Sequence, residues 1–364
     1  RRQPAAPHPF LYPFQDLPAM WAKKLALSVA ALLFSVLFAE ILVRLLGAAP
    51  EVGVIRAGRF QLSPNPLIGY EPVPDLDYQG ESLAFYDYVG ASNRLGYRDR
   101  DHAEKKPAGT FRILVLGDSI AAGLGVKRYE ETFPAFLEDL LREKGIPVEV
   151  LNFGVSGYNT RQEVETLKDK GLRFDPDLVL LAYTLNDRER MDGDILKTLL
   201  EAEGKSPESA GLRRTHPLLV KSALYRLVRF RVLPRQAVPA ESQDAQNARV
   251  AQGIKQVSGD TVAPSFAELA RVAEAERIPV MVAVFPRFAR FFSRYPFRDQ
   301  HDFVRGLSSQ HGFHHLDLFE DFRACKRSTD EPLAVDVFHP TAAGHRCAAE
   351  AMARFIVEQR LASR

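Results

Sequence analysis

An apolar run, Ile113-Leu114-Val115-Leu116, leads into Gly117-Asp118-Ser119-Ile120. Far downstream, Asp336-Val337-Phe338-His339-Pro340 places an aspartate three residues before a histidine. A serine hydroxyl is a poor nucleophile until a base takes its proton and a third group orients that base. Ser119, His339 and Asp336 are the residue types for those three parts, and the chemistry they could do is nucleophilic acyl transfer. Each also has a plainer use: a helix N-cap for Ser119, a capping or surface imidazole for His339, a loop cap for Asp336. Two further blocks stand between them, Asn152-Phe153-Gly154-Val155-Ser156-Gly157 and Asn186-Asp187. Gly154 and Asn186 have turn and cap readings of their own, and Asp118 and Asp187 suit the bracing of loops better than chemistry.

These groups can act together only if the fold converges on them. From Phe111 onward, strand and helix patterns alternate. Strands are expected at Phe111–Leu116, Val148–Asn152, Leu178–Tyr183, Val280–Phe285 and His315–Phe319. Helices are expected at Thr132–Lys144, Arg161–Gly171, Phe266–Glu276, Arg298–Gln310 and Thr341–Gln359. Such alternation predicts an α/β fold of three layers, α/β/α, around a mainly parallel sheet. Functional groups then gather at the carboxyl ends of the strands. Ser119 follows the first strand, Gly154 the second and Asn186 the third.

The four blocks, in this order, resemble the SGNH family of GDSL-type serine hydrolases over residues 111–361. Gly-Asp-Ser-Ile replaces the family's Gly-Asp-Ser-Leu, a conservative departure. The resemblance implies a flavodoxin-like SGNH hydrolase fold and a catalytic triad of Ser119, His339 and Asp336. It also implies an oxyanion hole made of the Ser119 and Gly154 backbone N–H groups and the Asn186 side-chain amide. A glycine at 154 suits close backbone approach to a substrate. The implied activity is carboxylic ester hydrolysis, without metal or organic cofactor. An O-acyltransferase using the same site and a non-catalytic envelope module are the alternatives.

Upstream, Leu25–Leu46 is apolar over enough residues to span a bilayer. Lys23 and Lys24 precede it, and Met20 reads as the start, with residues 1–19 as untranslated upstream sequence. The run continues past Glu40 and Arg44, and Pro50 follows the small residues Gly47-Ala48-Ala49, which favours an uncleaved anchor over a signal peptide. Glu40 and Arg44, four apart, can pair on one helical face. The positive-inside rule places the catalytic domain on the extracytoplasmic (periplasmic) side of the cell membrane. The expected organisation is a tail over 1–24, an anchor over 25–46, a connector over 47–110 that packs on the main domain, and a hydrolase domain over 111–364. The connector holds short strands such as Ser82–Val89.

An insertion at about 190–260 interrupts the alternation. It contains a basic amphipathic stretch, Arg213–Arg235, and a polar segment, Pro239–Gly259, expected to be mobile. The stretch reads as a solvated helix, with a lid or a lipid-headgroup contact as its functional alternative.

With 48 basic and 46 acidic side chains, the net charge of +2 gives no reason to expect nucleic acid as a partner. The expected partners are an acyl-ester substrate on an envelope glycan or lipid, and the membrane. Gly123-Leu124-Gly125-Val126-Lys127 lacks the ending of a phosphate loop. His311, His314 and His315 are read as surface residues without ligand spacing. Cys325 and Cys347 read as two unpaired buried thiols, although both flank the Asp336–His339 segment and could pair in an oxidising compartment.

Overall fold

A computed structural model describes residues 17–48, 56–78, 88–187, 193–204, 222–228, 243–257, 261–289, 291 and 295–362. The tail before residue 17, most of the proposed strand Ser82–Val89 and much of the basic stretch 213–235 lie outside the described residues. The chain divides into two compact units, Arg1–Gly53 with Pro207–Pro239, and Val54–Ser206 with Ala240–Arg364.

In the first unit, α1 (Leu17–Leu45) carries a stretch of 23 residues, Lys23–Leu45, long and apolar enough to cross a membrane. Most of its large apolar side chains are exposed, Val43 being buried, as in a helix that meets lipid. Glu40 and Arg44 form the i, i+4 pair, with Arg44 Nε donating to Glu40 Oε1 at 2.7 Å. Glu40 does more than its sequence position announced. Its carboxylate accepts from Ser222 Oγ, the Ala223 N–H and the Leu224 N–H, each at 2.8 Å. It thereby caps the short helix α5 (Ala223–Leu227), whose N-cap residue is Ser222.

The second unit opens with three short antiparallel strands, β1 (Arg56–Ala57), β2 (Phe60–Leu62) and β3 (Tyr70–Pro72). Phe60, Ile68, Tyr70 and Tyr97 from this region share one apolar core with the main sheet. That sheet has five parallel strands: β4 (Phe111–Gly117), β5 (Val148–Asn152), β6 (Leu178–Thr184), β7 (Val280–Phe285) and β8 (His314–Asp317). Their order is β5-β4-β6-β7-β8, which is the 2-1-3-4-5 order of doubly wound flavodoxin-like sheets. Strand direction of connection reverses between β4 and β6, and the ends of those two strands carry Ser119 and Asn186.

The central strands β4, β6 and β7 are almost wholly apolar because both faces are covered. Period-two alternation splits each strand between two cores. Leu114, Leu116, Val179, Leu181, Val282 and Val284 face one side, with residues of α3 (Thr160–Thr166), α7 (Val262–Glu276) and α8 (Arg298–Gln310). Ile113, Val115, Leu180, Ala182, Met281 and Ala283 face the other, with α2 (Phe133–Glu143), α9 (Phe319–Ser328) and α10 (Ala342–Glu358).

Several expectations need correction. The helix expected over Arg161–Gly171 is α only to Thr166, then widens into a π turn over Leu167–Gly171. The final strand stops at Asp317, because Phe319 begins α9 and buries Phe319 and Phe322 at helical spacing. Within the segment expected to be polar and mobile, Gln243–Val257 forms a helix, α6. Val250 and Val257 on α6 join a core with Leu196 and Leu200 of α4 (Gly193–Gly204), so apolar contact organises a stretch whose composition is polar. His314 and His315 are half-buried on β8, not on the open surface, and His315 Nδ1 lies 3.2 Å from Ser308 Oγ. Cys325 on α9 and Cys347 on α10 are joined in a disulfide, overturning the reading of two unpaired thiols. The two helices pack side by side, with Cα atoms 6.2 Å apart, inside the range a disulfide spans.

Candidate active site

Three strand ends deliver the site. β4 is wholly buried and ends at Gly117, where the chain turns sharply. Asp118 Oδ1 accepts from the Ile120 N–H at 3.0 Å and the Leu124 N–H reaches Ser119 O at 2.8 Å, so the nucleophile turn is closed on itself. Gly154 after β5 packs directly on this turn. A Cβ there would stand 2.5 Å from the Ala122 nitrogen, so no larger residue fits.

The last loop comes from the far end of the chain. Val335 N–H bonds His339 O at 2.9 Å and Thr341 N–H bonds Leu333 O at 3.0 Å, drawing residues 333–341 into a tight hairpin. Thr341 then caps α10 through Gly344 N–H. From the end of β7, the Phe288 N–H holds Val337 O at 2.8 Å. Gly125, at φ +105°, lets this hairpin touch the nucleophile turn, since a Cβ there would fall 2.5 Å from Pro340 O.

The structure brings the three expected groups into line. Ser119 Oγ lies 2.9 Å from His339 Nε2, and His339 Nδ1 lies 2.7 Å from Asp336 Oδ2. A carboxylate facing Nδ1 fixes the proton there and leaves Nε2 as the acceptor for the Ser119 hydroxyl. Asp336 Oδ1 accepts from the Phe338 and His339 N–H groups at 2.7 and 2.8 Å. Partial burial pushes the Asp336 carboxyl up, but the His339 side chain and these two N–H groups outweigh it and hold it below the usual carboxylate range.

The expected oxyanion donors are placed less uniformly. Among the described residues the Ser119 N–H meets no acceptor, so it is available to a ligand. Asn186, buried after β6, gives one Nδ2 hydrogen to Asp118 Oδ2 at 3.1 Å and keeps the other. The Gly154 N–H is instead donated to Asn152 Oδ1 at 2.9 Å, so a developing oxyanion would have to share it.

A carboxyl cluster that residue types alone did not reveal lies beneath. Thr184 Oγ1 is 2.9 Å from Asp118 Oδ2 and 3.0 Å from Asp187 Oδ1, while Thr160 Oγ1 donates to Asp187 Oδ2 at 2.7 Å. Glu163 is buried, and neither of its oxygens has a hydrogen-bond partner among the described residues. Burial, then the neighbouring Asp187 and Asp118, raises Glu163 well above the ordinary glutamate range. Burial and Asp118 likewise raise Asp187, against the pull of its threonine hydrogen bonds. Glu163 stands beside Val164 in α3, one position along the helix, and nothing in its sequence context separates it from a solvated glutamate.

A second Asp–His pair was also missed. His301 Nδ1 is 2.9 Å from Asp317 Oδ1, and its Nε2 is 2.9 Å from the Tyr295 hydroxyl. The same hydroxyl accepts from the Arg287 N–H at 3.1 Å. Among the described residues the pair has no serine or cysteine on it, and it ties Tyr295 and Arg287 of the segment after β7 to α8 and β8. Arg287 from that loop lies 4.8 Å from the Phe338 ring, beside His339.

A curated arylesterase of Vibrio mimicus is 38% identical over 76 residues, 21% of this chain. The match spans only 38% of that relative's length. Among solved structures, a catalytic mutant of the acetylxylan esterase Axe2 from Geobacillus stearothermophilus aligns with a TM-score of 0.41 and 15% identity, over 70% of this chain and 96% of its own. The psychrotrophic esterase EstA from Pseudoalteromonas sp. aligns with a TM-score of 0.39 and 16% identity, over 68% of this chain and 98% of its own. The family model of the GDSL-like lipases and acylhydrolases matches residues 115–347, from the nucleophile strand to α10 and across all four sequence blocks, and the chain belongs to that family.

Proposed function

We propose that the protein is a membrane-anchored serine esterase in which Ser119, His339 and Asp336 form the catalytic triad. The observation that carries this reading is the line Asp336–His339–Ser119, with contacts of 2.7 and 2.9 Å. Ser119 Oγ attacks the ester carbonyl carbon as His339 Nε2 takes its proton. The oxyanion is met by the Ser119 N–H and the second Asn186 Nδ2 hydrogen, with a share of the Gly154 N–H. Each such donor is worth ~3 kcal/mol of barrier. The tetrahedral intermediate collapses as His339 returns the proton to the leaving alkoxide. Water, deprotonated by the same imidazole, then attacks the acyl-Ser119 ester, and the carboxylic acid departs as Ser119 recovers its proton.

The substrate we propose is an acyl ester, acetyl in the simplest case, of a cell-envelope glycan or lipid, met on the extracytoplasmic side. The support for that setting is α1, an apolar stretch of 23 residues with Lys23 and Lys24 at its start. Membership of an acylhydrolase family supports ester chemistry.

The test uses the full-length protein in detergent micelles. A fluorophosphonate probe is expected to label wild type at Ser119 and to leave Ser119→Ala unlabelled. Acetylated glycan should release free acetate. Acetyl transfer to an unacetylated glycan without acetate release would replace hydrolysis by O-acyl transfer, and no labelling of wild type would remove the catalytic reading.

A further inference from the structure

The short helix α5 belongs to the same compact unit as the apolar helix α1 and packs on it. Its first groups, Ser222 Oγ and the Ala223 and Leu224 N–H, all donate to the Glu40 carboxylate at 2.8 Å. Glu40 stands inside the membrane-length stretch Lys23–Leu45, five residues before its end, or about 7 Å along the helix axis. Val43, one turn on from Glu40, is buried, and so is Ala223 of α5. Leu33, Phe34, Leu37 and Phe38, farther into the stretch, are exposed.

Two costs cancel at this contact. A carboxylate inside a membrane-spanning stretch is costly, and so are the open N–H groups of a helix end at the same depth. Glu40 and the first turn of α5 satisfy each other. A helix fixed to a spanning helix at this level lies at the bilayer surface, where the apolar faces of interfacial helices sink about 5–10 Å. The residues fit that place. Leu224, Tyr225 and Leu227 give α5 an apolar body, Val228 after it is exposed, and tyrosine is favoured at the membrane–water boundary. The sequence around α5 is one-sided in charge: residues 211–240 hold seven Lys and Arg and no Asp or Glu.

We propose that residues 222–228 are a second membrane contact, held at the end of the anchor by Glu40 and fitted to an anionic phospholipid surface. The proposal rests on the reading of α1 as an anchor and is independent of the chemistry at Ser119. Lipid phosphates are the partner because basic side chains meet them while neighbouring apolar side chains enter the acyl boundary. The chain passes between the two units at 53–54, 206–207 and 239–240. The catalytic unit is then tethered to the bilayer on both sides of this segment as well as through α1.

The test reads depth in the full-length protein, reconstituted in nanodiscs of phosphatidylcholine alone or mixed with phosphatidylglycerol. The two native cysteines are joined, so a single introduced cysteine takes a nitroxide label. Labels go at Val228→Cys, at Leu33→Cys on exposed α1, and at Val357→Cys on α10 as the aqueous control. In the mixed nanodiscs, Val228→Cys and Leu33→Cys are expected to favour collision with oxygen over a water-soluble nickel chelate, by roughly threefold or more relative to Val357→Cys. The preference at Val228→Cys should fall by about half or more without phosphatidylglycerol, or when Lys221→Gln, Arg226→Gln, Arg229→Gln and Arg231→Gln are combined. A reading at Val228→Cys that matches Val357→Cys, with Leu33→Cys in lipid, overturns the proposal. A lipid-like reading at Val228→Cys that ignores both the lipid charge and the four substitutions overturns the fit to an anionic surface. A water-like reading at Leu33→Cys removes the anchor itself, which is a different failure.

Discussion

The two halves of the candidate site are built in opposite ways. The nucleophile half is tertiary: Asp118, Thr160, Glu163, Thr184, Asn186 and Asp187 come from three chain segments and are all buried. The base half is local: Asp336 and His339 are three residues apart, and the Asp336 side chain is 40% exposed. Val335 and Val337 beside them are also open to solvent. A local loop can orient an imidazole with hydrogen bonds inside one turn, whereas the oxyanion side must be set by the sheet before substrate arrives. Substitutions in the first half should therefore touch folding, and activity as well where the side chain meets the substrate, and those in the second activity alone.

The largest expected effect tests the local half. His339→Ala should lower ester turnover by roughly 10⁴-fold or more, because the hydroxyl loses its base. Its thermal midpoint, followed by circular dichroism, should stay within about 2 °C of wild type, as expected for a partly exposed loop residue. A midpoint that drops along with activity would show that the hairpin is part of the folding core and would break the contrast.

Asn186→Ala tests the tertiary half at intermediate size. Loss of one oxyanion donor should cost ~10²–10³-fold in kcat. It also removes a donor from buried Asp118 Oδ2, with a stability loss of about 1–3 kcal/mol measured by urea unfolding. Unchanged kcat would remove Asn186 from the oxyanion hole. Lowered kcat with unchanged stability would make the nucleophile half as modular as the base half.

The contrast also accounts for what could be read from the sequence. Val148–Asn152 and Val280–Phe285 were read with the bounds the structure has: Val280–Phe285, covered on both faces, carries an unbroken apolar signal, and Val148, Val150 and Leu151 carry the signal of the other strand around a partly exposed Glu149. Ser119, His339, Asp336, Gly154 and Asn186 were legible as candidates because each sits in a short block just past a strand end or in a late loop. Helix α6 was not, since three apolar contacts at 250, 254 and 257 are dispersed among glutamines, alanines and charges. Glu163 was not legible either. A buried carboxyl group is defined by what surrounds it in space, and Asp118 and Asp187 reach it only through the fold.

The smallest expected effect falls on Glu163 and tests how far the buried half governs folding without chemistry. Its carboxyl is raised well above the 4.5 of an unfolded chain, first by burial and then by Asp187 and Asp118. A raised acid binds more protons folded than unfolded, so its contribution to stability is complete below about pH 4.5 and is lost as pH rises toward the folded value. Glu163→Gln keeps the shape and removes the titration. Its thermal midpoint should match wild type near pH 4 and exceed it by a few degrees at pH 8, at roughly 2–4 °C per kcal/mol for a domain of this size. Ester turnover at pH 7 should change less than about twofold, because the Glu163 carboxyl faces the acids beneath the site and not the triad. A midpoint difference that is the same at pH 4 and pH 8 would mean that Glu163 is ionised in the fold, with a buried cation or solvent path to account for it. The nucleophile half would then be held by hydrogen bonds and charge on an ionised carboxylate, as the Asp336 loop is, and the difference between the halves would be one of burial alone.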